Sequence, residues 1–174
     1  MKLRKKVVLL AMCLTIGVIT FAQTAGTLSV SIKTVTANGK YAPKHILAIW
    51  IEDSNGTFVK TRLFRSQNPQ YRSYLTQFAS ATNYSYNTVD ATTGATLQSH
   101  STSTISWDAT DVNGALVADG TYKVCIEFTE KNGSGPYQTY SFTKSAQGQT
   151  LTPTDVSNFQ NVSISWDTNI IFKF

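Results

Sequence analysis

The chain alternates apolar and polar positions along short segments that turn-forming residues separate. Residues 28–32 alternate strictly, which predicts a strand buried on one face. Residues 45–51 are apolar at nearly every position, which predicts a central strand that is covered on both faces. The dipeptide 55–56 is Asn-Gly, which readily adopts the positive φ values of a tight hairpin turn. This pattern predicts antiparallel strands joined by hairpins.

The same pattern continues to the end of the chain. Further strands are predicted at residues 58–64, 104–107, 122–128, 137–142 and 161–166. The polar stretch 144–153 is expected to be a surface loop, and 113–114 and 119–120 are expected to be turns. Several short strands and no long helix predict an all-β fold, an Ig-like sandwich of two antiparallel sheets. A closed barrel is the alternative, because periodicity alone does not separate the two.

One short helix is predicted within this β framework. Tyr71, Tyr74, Leu75 and Phe78 follow the i, i+3, i+4, i+7 spacing of a one-sided apolar stripe. We expect this stripe to pack over the end or edge of a sheet. Binding of a small ligand at this end of the sandwich is the alternative interpretation.

The first 22 residues resemble a secretory signal peptide. A basic start precedes an apolar run at residues 7–21, and residues 20–22 end in the small residues of a cleavage site. The run is about 15 residues long, whereas a membrane-spanning helix needs about 20. We therefore expect an exported protein, periplasmic or otherwise extracytoplasmic, with one Ig-like domain at residues 23–174 that does not span the membrane.

Removal of this segment changes the charge. Four of the 15 basic residues lie in it, which leaves 11 Lys and Arg against 10 Asp and Glu, a net charge of about +1. Such a balance gives no basic patch for nucleic acid. Only Cys125 remains of the two cysteines, so no internal disulfide is expected, and its strand position predicts a buried structural thiol.

The sequence carries none of the common enzyme motifs. It has two histidines, His45 and His100, and it lacks Cys-x-x-Cys, His-Glu-x-x-His and a glycine-rich phosphate loop. We therefore expect no catalytic residue. The acidic residues at 108–119 lack the glutamate that closes a calcium loop, so they are expected to cap turns and to bind no metal.

Residues 107–124 contain a Trp-Asp strand end, an Asn-Gly turn and a Gly-Thr-Tyr strand start. This block resembles the Ig-like module of the flagellar hook-capping protein. The resemblance implies the sandwich fold and one candidate function, a cofactor-free structural or protein-interaction module of the periplasm or cell surface.

A wider resemblance covers residues 45–61, 71–78, 90–96 and the block from Trp107, in that order. This order is similar to a family of predicted bacterial periplasmic proteins of unknown function, the DUF2271 type. Its members tend to occur with flavin transferases and PepSY-type membrane proteins. The resemblance implies partners of these two kinds, namely a flavin transferase and membrane redox proteins, and a part in extracytoplasmic electron transfer.

Residues 90–96, Asp-Ala-Thr-Thr-Gly-Ala-Thr, resemble the Asp-x-x-Ser/Thr-Gly-Ala-Thr acceptor of covalently flavinylated proteins. There, a magnesium-dependent transferase moves FMN from FAD onto the last threonine. The resemblance implies a phosphoester of FMN at Thr96. The residue types suit this chemistry, since a hydroxyl can attack phosphorus and Gly94 and Ala95 leave room for a second protein. Asp90 could orient the segment or help at the transferase's metal, and Thr93 completes the acceptor pattern.

A flavin at Thr96 would also need a surface for its ring. Tyr84, Tyr86 and Trp107 are the sequence candidates for this surface, although each also suits packing in its own sheet. His100 could bind the phosphate, but an exposed loop histidine is the simpler interpretation. An ordinary turn at residues 90–96 is the alternative to an acceptor.

Overall fold

The computed structural model describes residues 22–168. The signal peptide predicted for residues 1–22 lies outside this range except for its last residue. The described strands are β1 Thr27–Thr34, β2 Ile46–Asp53, β3 Phe58–Arg65, β4 Thr92–Gly94, β5 Thr102–Trp107, β6 Gly120–Thr129, β7 Tyr137–Lys144, β8 Gln149–Leu151 and β9 Phe159–Asp167. A 3₁₀ helix, Pro69–Tyr74, and one α-helix, α1 Thr76–Ala81, lie between β3 and β4.

The strands form two sheets that face each other. The four-stranded sheet has the order β5-β1-β9-β8, and the five-stranded sheet has the order β4-β3-β2-β6-β7. Neighbouring strands are antiparallel except β3 and β4, which are parallel. Both sheets are open, so the predicted two-sheet sandwich is confirmed and the barrel alternative is wrong.

Two turns share the sequence Asp-x-Asn-Gly and the same local structure. Asp53 Oδ1 accepts hydrogen bonds from the backbone N–H groups of Asn55 and Thr57, both at 2.8 Å. Asp111 Oδ1 accepts in the same way from two backbone N–H groups, of Asn113 at 2.8 Å and of Ala115 at 2.9 Å. The glycine of each turn has a positive φ, 85° and 78°, which suits a residue without a Cβ atom. Asp111 therefore caps its turn, as predicted for the acidic residues at 108–119, and Asp53 does the same in the earlier turn. Asp119 does not: its carboxylate accepts hydrogen bonds from the distant Thr24 and Lys144.

The main core lies between the two sheets. Trp107 and Trp166 are fully buried there, and inward-facing residues of β1, β2, β6 and β9 surround them. β2 contributes Leu47, Ile49 and Ile51 to this core, while its alternate residues face the opposite side of the sheet. The strand is thus buried on both faces, and the prediction of a central strand is confirmed.

A second, smaller core lies on the outer face of the five-stranded sheet. Leu75 and Phe78 pack there against Trp50, and Cys125 is fully buried in the same cluster. Burial raises the pKa of the Cys125 thiol, so the prediction of a buried structural thiol is confirmed. The segment 69–81 therefore covers one face of the sheet, as the apolar stripe predicts.

The predicted helix is nevertheless split. Leu75 has a non-helical backbone, with φ −83° and ψ 77°, and it separates the 3₁₀ helix from α1. α1 begins against Glu127 of β6, whose Oε2 accepts a hydrogen bond from the Phe78 N–H at 2.9 Å. As a result, Leu75 and Phe78 are fully buried in the smaller core, whereas Tyr74 packs half-buried against it and Tyr71 is exposed.

Three local predictions are wrong. The surface loop predicted at 144–153 contains β8, which pairs with β9, and residues 92–94 form β4 instead of a turn. Gly120 begins β6, so 119–120 is not a hairpin turn. β4 and β8 are only three residues long, which is too short to show a periodic pattern. Each pairs with a strand that is distant in sequence.

Candidate functional site

The segment Asp90–Thr96 runs along the outer edge of the five-stranded sheet. Asp90 has a φ of 55°, in the left-handed region, and the chain then extends through β4 beside β3. Thr92, Thr93 and Ala95 are exposed, and Thr96 is half-buried. A second protein can therefore reach this segment from solvent without opening the sandwich.

β3 fixes the start of this segment through three successive side chains. The buried ammonium of Lys60 lies 3.1 Å from Asp90 Oδ2 and donates to Thr110 Oγ1 at 2.9 Å. Arg62 Nη1 donates to the Asp90 carbonyl oxygen at 3.0 Å. The Thr61 hydroxyl donates to the carbonyl oxygen of Asn87 at 2.5 Å. Asp90 is thus held at two points, its carboxylate by Lys60 and its backbone carbonyl by Arg62.

Gly94 lies against the side chain of Arg65. A Cβ atom added at Gly94 would collide with the Arg65 guanidinium, which would have to swing away. The Gly94 carbonyl oxygen accepts a hydrogen bond from the Ser66 N–H at 3.1 Å, which extends the contact between β4 and the end of β3. Glycine therefore allows the closest approach of the segment to the neighbouring strand.

Thr96 follows directly after this contact. Its Oγ1 accepts a hydrogen bond from the Gln67 N–H, a long one at 3.5 Å. The next residue, Leu97, exchanges two backbone hydrogen bonds with His45, at 2.9 and 3.0 Å. These bonds fix the backbone just beyond Thr96, while a bond as long as 3.5 Å restrains the hydroxyl only weakly.

A cavity of about 260 Å³ opens beside Thr96. Its wall includes Tyr41, Tyr71, Tyr74, His45, Ile46 and Thr96. The rings of Tyr71 and Tyr74 are nearly parallel, with centroids 6.1 Å apart and planes 19° apart. We call this concavity the tyrosine cavity. Lys44 and Lys131, which are both exposed, add positive charge to its lining.

His45 lines this cavity, and its ring lies against that of the second histidine, His100. Their rings are stacked, with centroids 4.1 Å apart and planes 1° apart. His45 Nδ1 lies 3.1 Å from the Pro43 carbonyl oxygen, which can only accept, so Nδ1 carries the proton. His45 Nε2 is then an acceptor, and it is buried with no hydrogen-bond partner among residues 22–168. Burial lowers the pKa of His45, which favours this neutral form.

His100 is held on its other side by Glu130. His100 Nε2 lies 2.6 Å from Glu130 Oε1, and its Nδ1 lies 2.9 Å from Thr34 Oγ1. Burial opposes ionisation of Glu130, but hydrogen bonds from the Gly39 N–H, His100 and Thr36 outweigh it and lower the pKa of this carboxyl. Both ring nitrogens of His100 therefore have partners within the protein. The side chain is only 11% exposed, so the prediction of an exposed loop histidine is wrong.

A second concavity, of about 420 Å³, lies along the other side of the segment Asp90–Thr96. Thr93, Gly94 and Ala95 line it together with Arg72. The Arg72 guanidinium sits over the Phe64 ring at 5.5 Å, and its Nε is buried with no partner among the described residues. We call this concavity the arginine groove. A guanidinium at this position can bind a phosphate oxygen.

The structure separates the residues singled out in the sequence into two places. Thr93, Gly94 and Ala95 line the arginine groove, and Thr96 lines the tyrosine cavity. Asp90 lies at the opposite end of β4, where it contacts Lys60 instead of Thr96. Of its two suggested roles, orienting the segment is the one that this geometry favours.

The aromatic residues expected to hold a ring lie elsewhere. Trp107 is fully buried in the main core, and Tyr84 is 69% exposed. Tyr86 packs against Phe78 with ring centroids 6.2 Å apart. None of the three lines the tyrosine cavity. Two residues that do line it, Tyr71 and Tyr74, belong to the apolar stripe at 71–78. The ligand-binding interpretation of that stripe is therefore the sequence signal that points to this cavity.

Other kinds of site are not found in the described part of the chain. No group of three or more His, Cys, Asp or Glu residues within 22–168 could hold a metal ion. In the same range, no helix has the length and apolar character needed to cross a membrane.

Comparison with known proteins gives one match. Residues 27–157 match the model of a family described as "Predicted periplasmic protein (DUF2271)". This description confirms the extracytoplasmic location expected from residues 1–22 and the family resemblance of the central blocks. No curated protein and no solved structure matches the chain.

Proposed function

The chain belongs to the DUF2271 family of predicted periplasmic proteins, and we propose that it carries FMN esterified to Thr96. In this proposal the protein is a non-catalytic carrier that receives electrons from one extracytoplasmic or membrane partner and passes them to another. A flavin transferase and membrane redox proteins are its proposed partners. The acceptor pattern at residues 90–96 supplies the motivation.

One observation supports this proposal above the others, namely the position of Thr96 between two concavities. The tyrosine cavity offers aromatic faces and has His45 in its wall, and the arginine groove offers a guanidinium. A flavin mononucleotide has a planar ring and an anionic phosphate, so the two surfaces match its two chemical parts. An ordinary turn needs neither surface.

The transfer reaction is simple in outline. Thr96 Oγ1 attacks the phosphorus on the riboflavin side of FAD, a new O–P bond forms, and the bond to the bridging oxygen of the diphosphate breaks. AMP leaves with the electron pair, and the hydroxyl proton goes to a base of the transferase. The contribution of this chain is to present the hydroxyl. The hydroxyl makes one long hydrogen bond, to the Gln67 N–H, so little has to be broken before attack.

Asp90 has a positioning role in this proposal. Its ion pair with Lys60 and the bond from Arg62 to its carbonyl fix the start of the segment. The short pairing of β4 with β3 then sets the direction in which Ala95 and Thr96 leave the sheet. A transferase would meet a preformed extended strand, for which less conformational entropy is lost on binding.

The proposal is tested by co-expressing the exported chain with an active flavin transferase and examining denatured samples for flavin fluorescence in a gel. Wild type and Thr92→Ala should fluoresce, because Thr92 is exposed, occupies an unconstrained position of the acceptor pattern and is not the acceptor hydroxyl. Thr96→Ala should be dark, and all three proteins should have the same far-ultraviolet circular dichroism. A dark wild-type band, beside a fluorescent control substrate of the same transferase, would leave the cofactor-free interaction module as the function to pursue.

A further inference from the structure

The tyrosine cavity has the features of a ligand site in its own right. Tyr41 and Tyr71 are 42% and 37% exposed, which is high for aromatic side chains, and both border this cavity. Tyr74 supplies a third ring, nearly parallel to that of Tyr71. Exposed aromatic faces that converge on one concavity are typical of binding sites for planar ligands.

The polar groups of the cavity narrow the kind of ligand. His45 Nε2 is a buried acceptor with no partner among the described residues, so a ligand that reached it would have to bring an N–H or O–H donor. Glu130 is not available, since its carboxylate already accepts from His100, Thr36 and two backbone N–H groups. The cavity therefore favours a planar ring with a donor on its edge.

The size of the cavity further restricts the kind of ligand that can bind. At about 260 Å³ it is smaller than the roughly 300–1,000 Å³ that encloses a drug-sized ligand. It can take a ring system but not a whole nucleotide, so the remainder of the ligand has to leave through the mouth. Thr96 is part of the wall, so a chain attached to the ring can pass beside its hydroxyl.

We propose that the tyrosine cavity binds the isoalloxazine ring of flavin reversibly, without a covalent bond. Isoalloxazine is planar, and its pyrimidine end carries an imide N–H that can donate to a nitrogen acceptor. The identity of the ring rests on the function proposed for Thr96, but the binding itself does not require the ester bond. The ring stacks on the faces of Tyr71 and Tyr41 and leaves its side chain directed toward Thr96.

Riboflavin is the probe for this inference, because it has the ring but no phosphate and no transferase is needed. The unmodified protein should quench riboflavin fluorescence in a saturable titration, since stacking on tyrosine quenches flavin emission. Dialysis of the complex should return free riboflavin with its full fluorescence, because this binding forms no covalent bond. Tyr71→Ser and Tyr41→Ser should each weaken binding tenfold or more.

Tyr84→Ser is the matched control, because Tyr84 is also exposed but lies outside the cavity. It should bind riboflavin as wild type does. Absence of saturable quenching in wild type, or equal affinities in the Tyr71, Tyr41 and Tyr84 variants, would overturn the inference. A loss of fold in Tyr71→Ser is detected by circular dichroism, and Tyr41→Ser then decides the question.

The two proposals fail in different ways. Saturable riboflavin binding in a chain that a transferase does not modify would remove the covalent function and keep the cavity as a flavin site. The opposite result is a chain that is labelled at Thr96 but does not quench riboflavin before labelling, with or without the tyrosine substitutions. That result would keep Thr96 as the acceptor and remove the ring site.

Discussion

The ammonium nitrogen of Lys60 lies 3.1 Å from a carboxylate oxygen of Asp90, and the two side chains differ sharply in exposure, 2% against 66%. The lysine is thus a buried charge whose carboxylate partner reaches in from solvent. Its second contact is the neutral hydroxyl of Thr110, at 2.9 Å. The segment Asp90–Thr96 is therefore tied to the sandwich at its first residue, which is the charge partner of a buried lysine.

We predict that Asp90→Asn lowers the free energy of unfolding by about 1 kcal/mol, measured by urea denaturation. Removal of a partner from a fully buried pair costs roughly 3–5 kcal/mol, but the exposure of Asp90 screens this interaction strongly. A double-mutant cycle with Lys60→Met checks the cause. A coupling energy of about 1 kcal/mol is expected, because the double variant leaves no buried unpaired ammonium, and additive effects would contradict the account.

The stacked histidines predict a pH dependence of stability. Burial lowers the pKa of His45 in the folded protein, so the unfolded chain binds a proton more readily as the pH falls below 6.5. The unfolded state then holds more protons, and stability decreases with falling pH in this window. Charge on His100, stacked at 4.1 Å, adds to the penalty, while Glu130 opposes it.

The measurement is the free energy of unfolding at pH 7 and pH 5.5 for wild type and His45→Phe, which keeps a flat ring in the stack. Wild type should lose stability over this interval, and His45→Phe should lose less. The same loss in both proteins would show that His45 does not carry the effect.

Glu127 is predicted to hold the helical segment in place. Its carboxylate is fully buried and accepts from the Phe78 N–H at 2.9 Å and the Thr76 hydroxyl at 3.3 Å. Glu127→Ala leaves this N–H unsatisfied and should cost about 1–3 kcal/mol. Amide exchange of residues 76–82 should become faster, which hydrogen–deuterium exchange measures.

Glu52→Ala is the matched control, since Glu52 is also buried in the five-stranded sheet but its Oε1 accepts from the Trp50 indole N–H at 2.7 Å. It should leave exchange in residues 76–82 near the wild-type rate. Equal acceleration by both substitutions would mean that the effect is general loss of stability rather than loss of the helix cap.

The sequence predicts the strands well because each long strand has a local pattern. β2 is apolar on both of its faces. The two Asp-x-Asn-Gly turns have the same hydrogen bonds from backbone N–H groups to the aspartate. The sequence also singles out the segment Asp90–Thr96, because its residue types are unusual in combination. Periodicity predicts Leu75 and Phe78 as core residues for the same local reason.

The remaining features depend on contacts that are distant in sequence. Tyr41 joins the tyrosine cavity from an irregular segment, and His100 is largely shielded from solvent because it stacks on a residue 55 positions earlier. The break at Leu75 depends on Glu127 of β6, which fixes where α1 begins. No short window of sequence contains these pairs, so local sequence alone predicts Tyr84, Tyr86 and Trp107 as the ring surface instead.

The central claim is that Thr96 carries FMN, and the intact mass of the processed protein tests it most directly. After co-expression with an active flavin transferase, wild type should gain the mass of FMN less one water, and peptide fragmentation should place the gain on Thr96. Thr96→Ala should keep the unmodified mass, and Thr92→Ala should gain the same increment as wild type. An unmodified mass in wild type, with a control substrate fully labelled by the same transferase, would contradict the account.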